Sequence, residues 1–92
     1  MAGVLGFSFN NNLKSGDDLN NLTTTGFYIA NESGILNMPT DTATGYVLNL
    51  YIASGNIVQI LFQRGTASLL YIRGTSGGTF KSWMKLTPTA IE

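Results

Sequence analysis

The apolar residues of this chain come in short runs, each bounded by glycine, asparagine or serine, and that punctuation constrains the fold more than any single motif. Phe27-Tyr28-Ile29-Ala30 follows Gly26 and ends at Asn31-Glu32-Ser33-Gly34. Tyr46 to Ala53 opens after Gly45 and stops at Ser54-Gly55-Asn56, which leads straight into Ile57 to Arg64. Gly65-Thr66 introduces Ser68 to Arg73, and Gly74-Thr75-Ser76-Gly77-Gly78 introduces Phe80 to Leu86. Runs of this length between turn residues predict strands joined by hairpins. The expected fold class is all-β: a small antiparallel β-meander of about five strands, each paired with its sequence neighbour.

Helix is nearly absent from this pattern. Asp17-Asp18-Leu19-Asn20-Asn21-Leu22 can form one turn, capped by Ser15 or Asp17, with Leu19 and Leu22 on one side as a plug for one end of the sheet. Ile35 to Thr44 reads as a surface loop, because Pro39 offers no ladder donor and biases Met38 away from helix. The expected organisation is an N-terminal segment 1–16, a β-domain 17–86 and a tail 87–92. Leu5, Phe7 and Phe9 are its candidate attachment residues.

Composition then excludes most chemistry. Five Lys+Arg balance five Asp+Glu, so the chain lacks the basic footprint that nucleic acid or an anionic membrane surface requires. There is no Cys and no His, hence no thiol nucleophile, imidazole base or His/Cys zinc site. The acids are Asp17, Asp18, Glu32, Asp41 and Glu92. Adjacent Asp17 and Asp18 suit a helical start, and only a pairing of Glu32 with Asp41 would resemble the two carboxyl groups of a glycosidase. Asp41 with Thr42 and Thr44 is a weak calcium pattern, and Gly74 to Gly78 lacks the Lys-Ser/Thr of a phosphate loop. No enzyme, metal or cofactor is expected. No apolar run approaches a membrane span, and the N-terminus carries no secretory signal pattern. At 92 residues without staples the domain is marginal alone, and oligomerisation is the simplest remedy.

Alternation along the strands divides the sheet into two faces. Tyr46, Leu48, Leu50 and Ile52, with Val58, Ile60, Phe62, Leu70 and Ile72, form a wholly apolar face, expected to be the core. The opposite face mixes Val47, Asn49, Tyr51 and Ala53 with Ile57, Gln59, Leu61, Gln63, Leu69, Tyr71 and Arg73. Such a face suits a subunit interface, a ligand platform, or a surface covered by Leu5, Phe7 and Phe9. Trp83, between Lys81 and Lys85, is expected either to stack on a sugar or cation or to close the core edge. The candidate ligand-binding set is Trp83, Tyr71, Arg73, Tyr51, Gln59 and Gln63.

Several of these residues also carry a resemblance. Asp18-Leu19-Asn20-Asn21-Leu22 followed by Thr25-Gly26-Phe27-Tyr28-Ile29, Gln59 before an apolar run, Tyr71-Ile72-Arg73, and Gly77-Gly78-Thr79-Phe80-Lys81-Ser82-Trp83-Met84-Lys85-Leu86 resemble pyocin-knob domains. These belong to phage tail fibres and phage-tail-like bacteriocins. The resemblance spans residues 17–86 and departs at Phe80, where the family usually has Trp. A Met1 start suggests a very short gene product or a piece of a larger fibre. The resemblance implies a small β-knob, homotrimeric on a virion, made in the bacterial host cytoplasm without a signal peptide. It would act as a structural and adhesion module that binds host-surface glycan or another virion protein. The alternative is a capsid head-fibre or decoration protein with a purely structural role.

Overall fold

A computed structural model describes residues 8–40, 44–64, 70–87 and 89–91. Among these described residues seven strands form one sheet: β1 (Ser8–Asn12), β2 (Gly26–Ala30), β3 (Gly45–Ala53), β4 (Asn56–Gln63), β5 (Leu70–Ser76), β6 (Thr79–Phe80) and β7 (Met84–Leu86). Their order is β1-β2-β3-β4-β5-β6, with β7 also paired to β5. The all-β fold and the antiparallel meander from β2 to β5 agree with the expectation.

Three local features differ from it. β1 was not foreseen, and it lies parallel to β2 at the sheet edge. The foreseen turn Gly74 to Gly78 narrows to Gly77 and Gly78, both with positive φ (63° and 86°), while β5 runs on to Ser76. Two residues at positive φ are what a tight hairpin of matching twist requires. The single closing strand Phe80 to Leu86 is two strands, β6 and β7, because Lys81 to Trp83 leave the sheet. Among the earlier readings, Leu5, Phe7, Asp41, Thr42, Leu69, the Gly65-Thr66 turn and Glu92 lie outside the described residues.

The helical turn is a 3-10 helix over Leu19–Asn21, and its cap is Asp18, which accepts from Asn20 N at 2.8 Å. Leu19 is fully buried, and Leu22 packs beside it against the core. Asp17 instead accepts from Lys14 N at 2.7 Å. The turn lies over the middle of the sheet face, tied to the following loop by Leu19 N to Leu36 O (3.2 Å) and Leu36 N to Asp17 O (2.8 Å).

The assignment of faces is reversed. The core is Leu13, Leu19, Tyr28, Ala30, Ile35, Val47, Leu61 and Tyr71, with Met38, Leu22 and Trp83 packed against it. Val47, Leu61 and Tyr71 belong to the mixed face, which the 3-10 turn and its flanking loops cover. The wholly apolar face is turned outward: Tyr46 and Ile52 are exposed, and Leu48, Leu50, Val58, Ile60, Phe62, Leu70 and Ile72 are half-buried.

Candidate functional site

Strand register aligns Asn49 with Gln59 and Gln59 with Arg73, so these three polar side chains form one row across β3, β4 and β5. Asn49 and Gln59 are fully buried and Arg73 nearly so. Such burial is tolerable only where each donor and acceptor is matched. Gln59 Nε2 donates to Leu19 O (2.7 Å) and to Asn49 Oδ1 (2.9 Å), while Gln59 Oε1 accepts from Arg73 Nε (2.9 Å). A second guanidinium nitrogen donates to Asn20 Oδ1 at 2.8 Å. At the other end Asn49 Nδ2 reaches Leu22 O (3.3 Å) and Thr24 O (3.1 Å). Among the described residues no buried side-chain polar atom is left unpaired.

The Arg73 guanidinium also lies over two rings, 3.9 Å from the Phe80 centroid and 4.8 Å from that of Trp83. Desolvation lowers its pKa to about 10, and the nearby Asp18 charge partly restores it. Trp83 reaches this position because Lys81 to Trp83 leave the sheet, and its indole N–H donates to Asn37 O at 2.9 Å. Asn37, at φ 64°, donates in turn to Asp18 Oδ1 at 2.7 Å. The Asp18-Leu19-Asn20 segment and the closing Phe80…Trp83 segment thus meet on one buried arginine.

This placement decides what the candidate ligand residues can present. Gln59, Tyr71 and Arg73 face the interior, and Gln59 and Arg73 spend their polar atoms on this chain. Tyr51 and Gln63 are half-buried at opposite ends of the same face, beside Ile57 and Gly45 respectively. Trp83 is half-buried, and its cation is Arg73 rather than a flanking lysine. Asn20, Asn37 and Asn49 were missed. For Asn49 the signal was present, since it stands directly opposite Gln59 in two strands that are otherwise apolar at their centres.

The described acids, Asp17, Asp18 and Glu32, hold local backbone and side-chain donors. Glu32 accepts from Ser15 N (3.1 Å) and lies 3.8 Å from Lys14 Nζ at exposed positions, so that ion pair adds little. Among the described residues no cluster of three or more His, Cys, Asp or Glu could hold a metal.

Tyr28 shows how closely the loops are tied to the sheet. Its hydroxyl donates to Thr24 O at 2.7 Å, and burial raises its pKa above the ordinary 10.0, opposed by that hydrogen bond. The folded state therefore holds this proton more tightly than the unfolded chain. The contribution is complete below pH 10 and is lost as pH rises through the folded pKa. Tyr28→Phe should cost about 1 kcal/mol at pH 7 through the lost hydrogen bond. The gap to the parent should shrink above pH 10, as urea melts at the two pH values would show; a constant gap would exclude this linkage.

On the outward face the same register builds two apolar rows. Phe27, Leu48, Ile60, Ile72 and Met84 form one, and Ile29, Tyr46, Phe62, Leu70 and Leu86 the other. Phe27, Ile29, Tyr46 and Phe62 line a shallow, wholly apolar depression of about 460 Å³. The chain matches no family model, no curated protein and no solved structure.

Proposed function

We propose that this chain is a knob domain of a phage virion fibre: a homotrimeric structural and adhesion module that binds host-surface glycan or another virion protein. The observation that carries this reading is the inequality of the sheet's two faces. One is covered by the chain's own loops with every buried side-chain polar atom matched among the described residues, and the other is apolar and outward. A catalyst displays polar groups in a cleft, whereas this molecule buries its polar constellation and displays a surface suited to assembly. The sequence resemblance supplies the virion setting. The half-buried rings of Tyr51 and Trp83 can still offer an edge or face to a sugar, with weak contacts multiplied across copies.

Glycan arrays and host-cell pull-downs with the assembled protein test the adhesion half. Expected is binding that weakens at least tenfold when protomers are separated, as avidity requires. Blank results in both remove adhesion and leave the head-fibre or decoration role, with attachment through Leu5, Phe7 and Phe9. The deletion that probes attachment must stop at residue 7, because Ser8–Asn12 is a strand of the sheet.

A further inference from the structure

We infer that the outward apolar face is a seam along which copies of this chain meet, with the exposed Ile52 of one copy seated in the apolar depression of another. The inference rests on the assembly reading above and adds the partner and the point of contact.

The size of the face is the first argument. The five strands β2, β3, β4, β5 and β7, about 4.8 Å apart and averaging about six residues of about 3.3 Å, span roughly 500 Å² in projection and more as accessible surface. That lies at the upper end of the ~300–600 Å² an isolated soluble domain leaves open and is more than half of the ~800 Å² per partner of a stable interface. Ile52 is 72% exposed, Met84 63%, Leu86 48% and Tyr46 44%, so the surface stands available rather than merely apolar in sequence.

Charge selects the occupant. Neither row contains a side chain that is charged at neutral pH, and the whole chain has a formal net charge of zero. Two such faces meet without like-charge repulsion, and a surface with no charge pattern has nothing with which to discriminate a foreign partner. Stability argues the same way: the buried core of this short chain gives up part of its volume to Asn49, Gln59 and Arg73, so further apolar burial must come from outside the protomer.

Geometry supplies the fit. Tyr46 and Ile52 lie near opposite ends of β3, so the depression and the protruding isoleucine occupy opposite ends of one face. Turning one copy end for end and laying it face to face places each Ile52 over the other copy's depression. Sheets packed in this way keep their strands within about 30° of alignment.

Light scattering after size exclusion, on the full chain at about 100 µM, tests the seam at a concentration where an interface of this size persists. A mass of two protomers is expected, since each Ile52 seated in the other copy's depression closes a pair; a mass of three would overturn the face-to-face arrangement. Ile52→Lys, at a site too exposed to matter for folding, should weaken association roughly 100-fold, as loss of an apolar anchor seated in a partner's pocket does. Ile60→Lys at the centre of the face should leave only monomer. A monomeric parent overturns the seam, as does an unchanged mass in a folded Ile52→Lys protein. So does a parent monomer that binds an apolar dye only after residues 1–7 are deleted, which would make that segment the occupant. A mass of two protomers upholds the seam while removing the trimer from the proposed function, and glycan binding by a monomer upholds adhesion while removing the seam.

Discussion

Arg73→Leu is expected to lower the unfolding free energy by about 3 kcal/mol, a large share of the stability of a small domain. The leucine leaves Gln59 Oε1 without the Nε donor it has at 2.9 Å, in a fully buried site where an orphaned acceptor costs about 1–3 kcal/mol. It also removes the cation from between Phe80 and Trp83, worth about 0.5–2 kcal/mol for each ring. Relief from desolvating the guanidinium, the same effect that lowers its pKa to about 10, offsets part of the loss. Asn20 is exposed and recovers its hydrogen bond from water. Arg73→Lys keeps a charge but has neither the planar face nor an Nε aimed at Gln59, so it should recover less than half of the loss. Urea unfolding followed by Trp83 fluorescence reads both variants. Protomer concentration must be held fixed, since association of the folded form adds to apparent stability. A loss under about 0.5 kcal/mol for Arg73→Leu would mean that the guanidinium does not hold the two ends of the chain together.

The strands were legible because each apolar run stops at residues that break a ladder, and Gly77-Gly78 announced its own hairpin. The inside of the sheet was not legible from apolarity, and the reason is physical. The segments laid over the sheet, Leu13 to Thr25 before β2 and Asn31 to Met38 after it, turn backbone carbonyls toward it, among them Leu19 O and Leu22 O. A wholly apolar face cannot satisfy those acceptors. The face with Asn49 and Gln59 can, and the energetic choice is made by donors as well as by area. The candidate site followed the same inversion. In the sequence Gln59 and Arg73 look like displayed polar groups on a mixed face, but the mixture is the signature of an internal row. Trp83 was legible as a cation partner, whereas its true cation lies ten residues earlier and is reached only because the closing strand breaks. β1 was hidden by its asparagines: it pairs at an edge, where pairing needs only the backbone.

If carbonyls choose the face, then making the row apolar should not stabilise the fold, and Gln59→Leu should be among the most damaging single changes. It strands Leu19 O, Asn49 Oδ1 and the Arg73 Nε–H at once, all within a site closed to solvent. At about 1–3 kcal/mol for each orphan, less the gain from burying a leucine, the net loss is about 3–5 kcal/mol. Asn49→Leu alone should cost about 2 kcal/mol, because Thr24 O keeps the Tyr28 hydroxyl and only Leu22 O and one Gln59 donor lose their partner. In the double variant the Asn49 acceptor is gone as well. The pair should therefore cost about 1–2 kcal/mol less than the two single losses together. Strict additivity would show that the 2.9 Å amide contact carries no coupling. Adding Arg73→Leu produces a row as apolar as the outward face, yet Leu19 O and Leu22 O still face it without donors. That triple variant should remain less stable than the parent. A triple variant more stable than the parent would instead mean that hydrophobic area alone decides which face is inside.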